Sequence, residues 1–280
     1  MKFDLHLHTT ASDGTDSPRR LVENAAKNGF GLIAVTDHDT MSGVPEALEA
    51  GRRLGVRVIS GVEISAGGGT EVHVLGYAIR QPEKLIQVLE DMRAQRSKRM
   101  KQMVFKLNQL GIPVPLHRVT GLAQESVGRS HLARVLVEEG IVKDVREAFN
   151  RYLAPGRPAY VEREKLTVRQ AVSLIDSAGG IAVIAHPGQN HGDNFWLKER
   201  FAELKDAGLK GIECYHMAHS QQQTVMFHRI ARDLGLLVTG GSDYHGMVKA
   251  VGIGDGMQYW KTKDVDIERF LNAIPKREGL

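Results

Sequence analysis

Lys2-Phe-Asp4-Leu-His6-Leu-His8-Thr9 opens the chain, and its reading decides the rest. Apolar and polar residues alternate, which is the period of a β-strand. Residues two apart on a strand face the same side, so His6 and His8 project together. Two imidazoles held side by side make half a metal site. In isolation such a pair is more often an ordinary polar feature near a terminus. It gains weight because comparable residues recur at the ends of later apolar runs: Gly31-Leu-Ile-Ala-Val35 reads as a buried strand and delivers Thr36-Asp37-His38-Asp39 at its C-terminal end.

Working outward, the same arrangement repeats. Strands are expected over 2–6, 31–35, 56–60, 71–77, 181–185, 211–215 and 236–239. The third hands over to Gly61-Val-Glu63-Ile-Ser65, the fourth carries His73, the fifth ends in His186-Pro187, the sixth holds Glu213, and the last precedes Ser242-Asp243-Tyr-His245. Helices fall between strands: one starts at Ser17 as N-cap with Pro18 at its first position, and others cover 44–54, 168–178 and 221–234. This β-then-α rhythm, with polar residues at strand ends, predicts an α/β barrel, whose C-terminal rim gathers side chains far apart in sequence. The rhythm breaks after Pro82. A long helix to about 110, a stretch with Pro113 and Pro115, short helices at 130–139 and 142–153, and a turn-rich exit at 154–159 predict a mostly helical insert. The catalytic barrel is therefore expected over 1–98 and 163–280, with a substrate cap over 99–162.

The totals narrow the classes. With 280 residues the chain can bury a large core. No apolar run is long enough to span a bilayer, and His6 arrives before a secretion signal could fit, so a cytoplasmic enzyme is expected. The single cysteine, Cys214, forms no internal disulfide and suits a reducing compartment. Net charge is +4, unevenly spread: between Arg93 and Arg169 sixteen Lys and Arg stand against seven Asp and Glu, leaving the remainder net acidic. An acidic metal-binding body beside a basic segment suits an anionic, phosphate-bearing substrate.

Nine side chains are the candidate metal ligands: His6, His8, Asp13, His38, Glu63, His73, His186, Asp243 and His245. Six imidazoles and three carboxylates cannot be buried together cheaply without a cation. They are too many for one ion with an open position, so two or three divalent ions are expected. Imidazole and carboxylate donors without thiolate suit Mn²⁺, Zn²⁺ or Fe²⁺ better than a calcium cage.

Asp4-Leu-His6-Leu-His8-Thr9, Ser12-Asp13-Gly14, Thr36-Asp37-His38-Asp39, Gly61-Val-Glu63, His73, His186-Pro187 and Ser242-Asp243-Tyr-His245 resemble, in order, the motifs of the PHP (polymerase and histidinol phosphatase) phosphoesterases. Gly128-Arg129-Ser130-His131-Leu-Ala-Arg134 and Pro155-Gly-Arg157-Pro-Ala-Tyr160 are similar to segments of its small bacterial nucleotide phosphatases and 5′→3′ exoribonucleases. The resemblance implies a distorted (β/α)7 barrel with a trinuclear centre. His6, His8, Glu63 and Asp243 would hold one ion; Glu63, His73 and His186 a second; Asp13, His38 and His245 the third. Asp13 stands where some members have histidine, which would lower the charge of the third site.

Such a centre makes hydroxide from water near neutral pH and sets it in line with phosphorus, with His6, His8, Asp13, His38 and Glu63 as its working residues. No GxSxG elbow or GxxxxGK[ST] loop is present, and no side-chain nucleophile is required. Arg129, Ser130, Arg134 and Arg157 are the candidate phosphate contacts, because guanidinium offers a planar fork to phosphate oxygens. His219, with His216 as the other choice, is the candidate donor of a proton to the leaving oxygen. His117, His191 and His228 read as structural or surface residues, and Tyr160 and Tyr244 as packing. The expected substrate is a 3′,5′-bisphosphorylated nucleotide or a similar mononucleotide. A short 5′-phosphorylated RNA end is the alternative, and histidinol phosphate or an inert metal-stabilised binding module ranks behind both.

Overall fold

Strand β1 (Lys2–Leu7) is buried from Phe3 onward, and that continuous burial, rather than one wet face, is the mark of a strand covered on both sides. The structure is a computed structural model describing residues 1–67, 71–189, 195–248, 250–256 and 264–274; His191 lies outside them. Six further strands follow: β2 (Phe30–Val35), β3 (Arg57–Ala66), β4 (Val72–Tyr77), β5 (Ile181–Ile184), β6 (Leu209–Tyr215) and β7 (Leu237–Gly240). They form one sheet in sequence order. β1 to β3 pair in parallel, as do β5 to β7, whereas β4 runs antiparallel to both its neighbours. The sheet curls far enough that residues after β7 meet β1. A parallel bridge joins Leu7 to Tyr244, and the His8 amide donates to the Tyr244 carbonyl at 2.9 Å. The result is an α/β fold around a curled, seven-stranded half-barrel.

Helices cover the outside. α1 (Pro18–Lys27) starts as expected, with the Ser17 hydroxyl accepting from the Arg20 amide. α2 (Val44–Leu54) stops at Gly55, whose φ of 69° is a left-handed cap that glycine adopts without strain. α3 (Glu83–Gln109), α4 (Leu116–Thr120), α5 (Arg129–Glu138), α6 (Val145–Ala148) and a π-helical turn at Phe149–Leu153 make up the middle of the chain. α7 (Val168–Ser177), α8 (Lys198–Lys205), α9 (Gln221–Leu234) and α10 (Asp264–Ala273) complete the chain.

One difference from the sequence reading matters. The third strand does not end at residue 60: β3 continues to Ala66 because residues 61–66 pair with β4, so Glu63 lies within a strand and is fully buried. And the apolar side chains of the middle segment, among them Met103, Leu107, Leu132, Leu136 and Leu153, form a cluster of their own, apart from the one holding Leu5, Ile64, Val74 and Ile212.

Candidate metal centre

One carboxylate organises the end of the sheet. Glu63 Oε2 lies 3.3 Å from His6 Nε2, 3.1 Å from His8 Nε2 and 3.1 Å from His38 Nδ1. Glu63 Oε1 lies 2.9 Å from His73 Nδ1 and 3.2 Å from His186 Nε2. Five imidazoles thus share one side chain. Asp243 Oδ1 adds contacts at 3.3 Å to His8 and 3.6 Å to His6, and Asp13 Oδ1 sits 3.2 Å from His245 Nε2. All nine candidates therefore meet at one mouth. Among the described residues, three groups have donor atoms within 4.8 Å of one another: His6, His8, Glu63 and Asp243; His8, Asp13, His38 and His245; His38, Glu63 and His73. His186 joins through its contact with Glu63.

The residues fit divalent cations. His6 Nε2, both nitrogens of His8, His38 Nδ1, His73 Nδ1 and Glu63 Oε2 are buried without a hydrogen-bond partner. Each such atom costs about 1–3 kcal/mol if left unsatisfied, so six together are tolerable only if something else is meant to bind them. The charges agree. Burial opposes protonation of His8 and His73, yet the facing carboxylates raise both to about 9; Asp243 and Glu63 act on His8, and Glu63 and Glu71 on His73. Burial likewise opposes ionisation of Glu63, but His6, His73 and His38 hold it well below the usual carboxylate range. The carboxylates demand positive charge, and metal ions supply it more compactly than protons on rings that must also pack.

The backbone and a surrounding layer of polar groups aim these rings. His6 Nδ1 faces Glu213 Oε1 at 3.1 Å, leaving Nε2 directed at Glu63. Glu71 does the same for His73, at 3.3 Å from Nε2, and the Asp243 carbonyl for His245, at 2.8 Å from Nδ1. A carboxylate or carbonyl behind a histidine fixes its tautomer and frees the other nitrogen as a ligand. Asp4 accepts from the His6 and Ser242 amides and the Ser242 hydroxyl, tying β1 to the loop after β7. Asp37 accepts from the amide and hydroxyl of Thr9 and from the Ser12 hydroxyl. Asp39, His186 and Asp243 all hold positive φ, at 53°, 25° and 55°, a cost of about 1–3 kcal/mol each that is commonly concentrated at working sites. Gly241 is required by close approach, since a Cβ there would stand 2.6 Å from the His6 backbone nitrogen.

The expected substrate contacts divide. Arg129 reaches the rim, with Nη2 2.7 Å from Glu71 Oε2 and its guanidinium over the rings of Phe149 (5.5 Å) and Tyr160 (5.9 Å). The Ser130 hydroxyl donates to Asp13 Oδ2 at 2.7 Å, so it steadies a candidate ligand. Arg134 pairs along its own helix with Glu138 at 3.2 Å, the i,i+4 arrangement of a helix surface, and Arg157 is exposed in its turn. His219 takes a different place from the one expected of a proton donor. Its Nδ1 faces the Cys214 carbonyl and its Nε2 accepts from the Gly188 amide, both at 3.0 Å, which leaves no N–H for a leaving group. His216 retains one. Its Nδ1 accepts from the Ala218 amide, burial brings it down to about 3 so that the ring is neutral with its proton on Nε2, and that nitrogen has no partner. Its ring lies 5.3 Å from that of His186.

Sequence reasoning gave Glu213, Glu71, Arg96, Arg163 and Lys165 no role. A charged residue inside the apolar run Gly211-Ile-Glu213-Cys-Tyr215 was the available signal for the first. For Arg163 and Lys165 it was the alternation in Val161-Glu-Arg163-Glu-Lys165.

A half-barrel whose strand ends gather six imidazoles and three carboxylates defines a metal-dependent hydrolase of phosphoric esters. The chain belongs to the PHP family, whose PHP domain pattern matches residues 4–269. It is 37% identical to a 5′-3′ exoribonuclease of Haemophilus influenzae, covering 87% of this chain and 90% of that protein. It is 36% identical to a 3′,5′-nucleoside bisphosphate phosphatase of Chromobacterium violaceum, covering 87% of each. A crystal structure from Bifidobacterium adolescentis, described as a metal-dependent phosphoesterase, superposes with a TM-score of 0.90 at 31% identity, over 98% of this chain and 97% of that one.

Proposed function

We propose that the protein removes a phosphate from a 3′,5′-bisphosphorylated nucleotide or a similar mononucleotide, using two or three divalent ions, Mn²⁺ before Zn²⁺ or Fe²⁺. The observation that carries this is the sharing of Glu63 by five histidines, four of whose facing nitrogens are buried without a hydrogen-bond partner. Bound there, the ions would lower the pKa of water and neutralise charge on the phosphoryl oxygens. His6, His8, Glu63 and Asp243 would hold one ion, Glu63, His73 and His186 another, and Asp13, His38 and His245 a third. Glu213 and Glu71 keep His6 and His73 in the ligating tautomer. Ser130 orients Asp13, and the neutral His216 has a buried Nε2–H to offer an oxygen of the substrate. Arg129 offers its guanidinium to phosphate once Glu71 shares it.

In this reading the curled sheet is a distorted (β/α)7 barrel, spanning 1–98 and 163–280. Residues 99–162 cap it and present Arg129 and Ser130 to the mouth. A cytoplasmic location accords with the lone buried Cys214. Among the described residues no helix is long and apolar enough to cross a membrane.

A second reading, 5′→3′ removal of nucleotides from 5′-phosphorylated RNA, is favoured by the 37% identity to the 5′-3′ exoribonuclease of Haemophilus influenzae. The test is protein loaded with Mn²⁺ and offered 3′-phosphoadenosine 5′-phosphate, a 5′-phosphorylated oligoribonucleotide and histidinol phosphate side by side, with Glu63→Gln as control. Phosphate release fastest from the bisphosphate and lost in the variant is expected. Preference for the oligonucleotide selects the second reading, and no turnover of any of the three, with metal present, refutes both.

A further inference from the structure

Residues 124–131 of the helical middle segment are stitched to both of the loops that bring Asp13 and His38 to the proposed third ion site. The Gln124 and Ser126 amides donate to the Thr10 and Ala11 carbonyls, at 3.1 and 3.2 Å. The Ser130 hydroxyl donates to Asp13 Oδ2 at 2.7 Å. From the other loop the Thr40 hydroxyl, two residues past His38, donates to Glu125 Oε2 at 3.1 Å. Of the three proposed sites this one has no donor on a strand: Asp13, His38 and His245 all follow strand ends, whereas Glu63 lies on β3 and His73 on β4. A donor on a loop is aimed only as well as the loop is held, and here the middle segment does part of the holding. Ser130 occupies Oδ2 of Asp13 and leaves Oδ1 facing His245 Nε2 at 3.2 Å. The seam can open while both cores stay packed. Met103, Leu107, Leu132 and Leu136 pack in the cluster of the middle segment, apart from that of the sheet. The stitches are hydrogen bonds, and with Gln124 and Glu125 exposed, water can replace them.

We propose that residues 124–131 are a latch between the cap and the third ion site, so that the docked cap and the third ion each stabilise the other. With the seam closed, Ser130 holds Asp13 in place for the ion. With an ion shared by Asp13 and His38, the two loops are fixed and present to residues 124–126 the carbonyls and the hydroxyl that they bind. Linkage makes the two effects equal: the factor that closure adds to ion affinity is the factor that the ion adds to closure. Metal supply thereby sets how often the cap is closed, and loss of the third ion releases it. This deepens the three-ion reading above and rests on it.

The test titrates the full chain with Mn²⁺ by calorimetry, as wild type, Ser130→Ala, Ser130→Thr and Asp13→Ala. Amide hydrogen exchange of the peptides holding Gln124 and Ser126 is then compared with Mn²⁺ and with chelator. In Ser130→Ala one Mn²⁺ should bind about 10–100-fold more weakly while the others are unchanged, and Ser130→Thr, which keeps the hydroxyl, should recover most of the loss. Mn²⁺ should slow exchange at the seam by roughly tenfold or more in wild type, by much less in Ser130→Ala, and not at all in Asp13→Ala. If wild type binds no ion that Asp13→Ala lacks, the third site itself is refuted. An ion lost in Asp13→Ala but held equally tightly by wild type and Ser130→Ala overturns the latch alone. So does exchange that Mn²⁺ slows no more at the seam than in α9, which is general stabilisation.

Discussion

Replacing Glu213 by glutamine tests whether the groups behind the histidines matter as much as the ligands. Glu213 is fully buried on β6; its Oε1 lies 3.1 Å from His6 Nδ1 and its Oε2 accepts the His186 amide at 2.7 Å. A glutamine of the same shape has one acceptor oxygen. If that oxygen keeps the His186 amide, the NH₂ faces His6 Nδ1 and drives the proton to Nε2, the nitrogen aimed at Glu63. If it keeps His6, two donors oppose each other at His186. Either way one hydrogen bond to a charged group is lost, about 1.5–3 kcal/mol, which at roughly 1.4 kcal/mol per decade is about 10–100-fold in metal affinity. The assay is titration of the metal-free protein with Mn²⁺, read by calorimetry, alongside circular dichroism to confirm the fold. Affinity equal to wild type in a folded Glu213→Gln variant would refute the positioning argument.

Gly241→Ala should be among the most damaging small substitutions, because its Cβ would lie 2.3 Å from the Cβ and 2.6 Å from the backbone nitrogen of His6, and those atoms cannot rotate away. A loss of about 1–3 kcal/mol is expected from overpacking, read as a lower midpoint in urea, together with reduced metal stoichiometry. His131 is buried, its Nδ1 accepting from the Gly128 amide, and burial lowers its pKa below the value it has unfolded. Its contribution to stability is therefore present above the unfolded pKa of about 6.5 and lost as pH falls below it. Metal-free wild type should lose stability between pH 7 and pH 5 more steeply than His131→Gln, and equal slopes would contradict the assignment.

The parts of the fold that were legible in the sequence were those where a local period meets a chemical residue. His6 and His8 face one way because a strand alternates, and His38, His186, Asp243 and His245 follow apolar runs that can only be buried strands. The continuation of β3 through Glu63 was not legible, because Gly61-Val-Glu-Ile-Ser65 becomes a strand by antiparallel pairing with β4, a partner set by tertiary structure. The pairing of Arg134 could be read ahead, since Glu138 stands four residues on along the same helix. That of His219 could not: its partners are backbone groups of Cys214 and Gly188, and backbone acceptors and donors leave no trace in residue identity. Arg163 and Lys165 alternate with Glu162 and Glu164, but alternation alone does not say which pair faces inward.

The most direct measurement is anomalous diffraction from crystals of the Mn²⁺-loaded protein, paired with metal content in solution. Two or three peaks are expected at the end of the sheet, each within about 2.0–2.3 Å of nitrogens and oxygens from His6, His8, Asp13, His38, Glu63, His73, His186, Asp243 and His245, with Glu63 touching more than one ion. A loaded crystal with no peak among these side chains, or with manganese bound elsewhere, would contradict the claim that the fold exists to gather them.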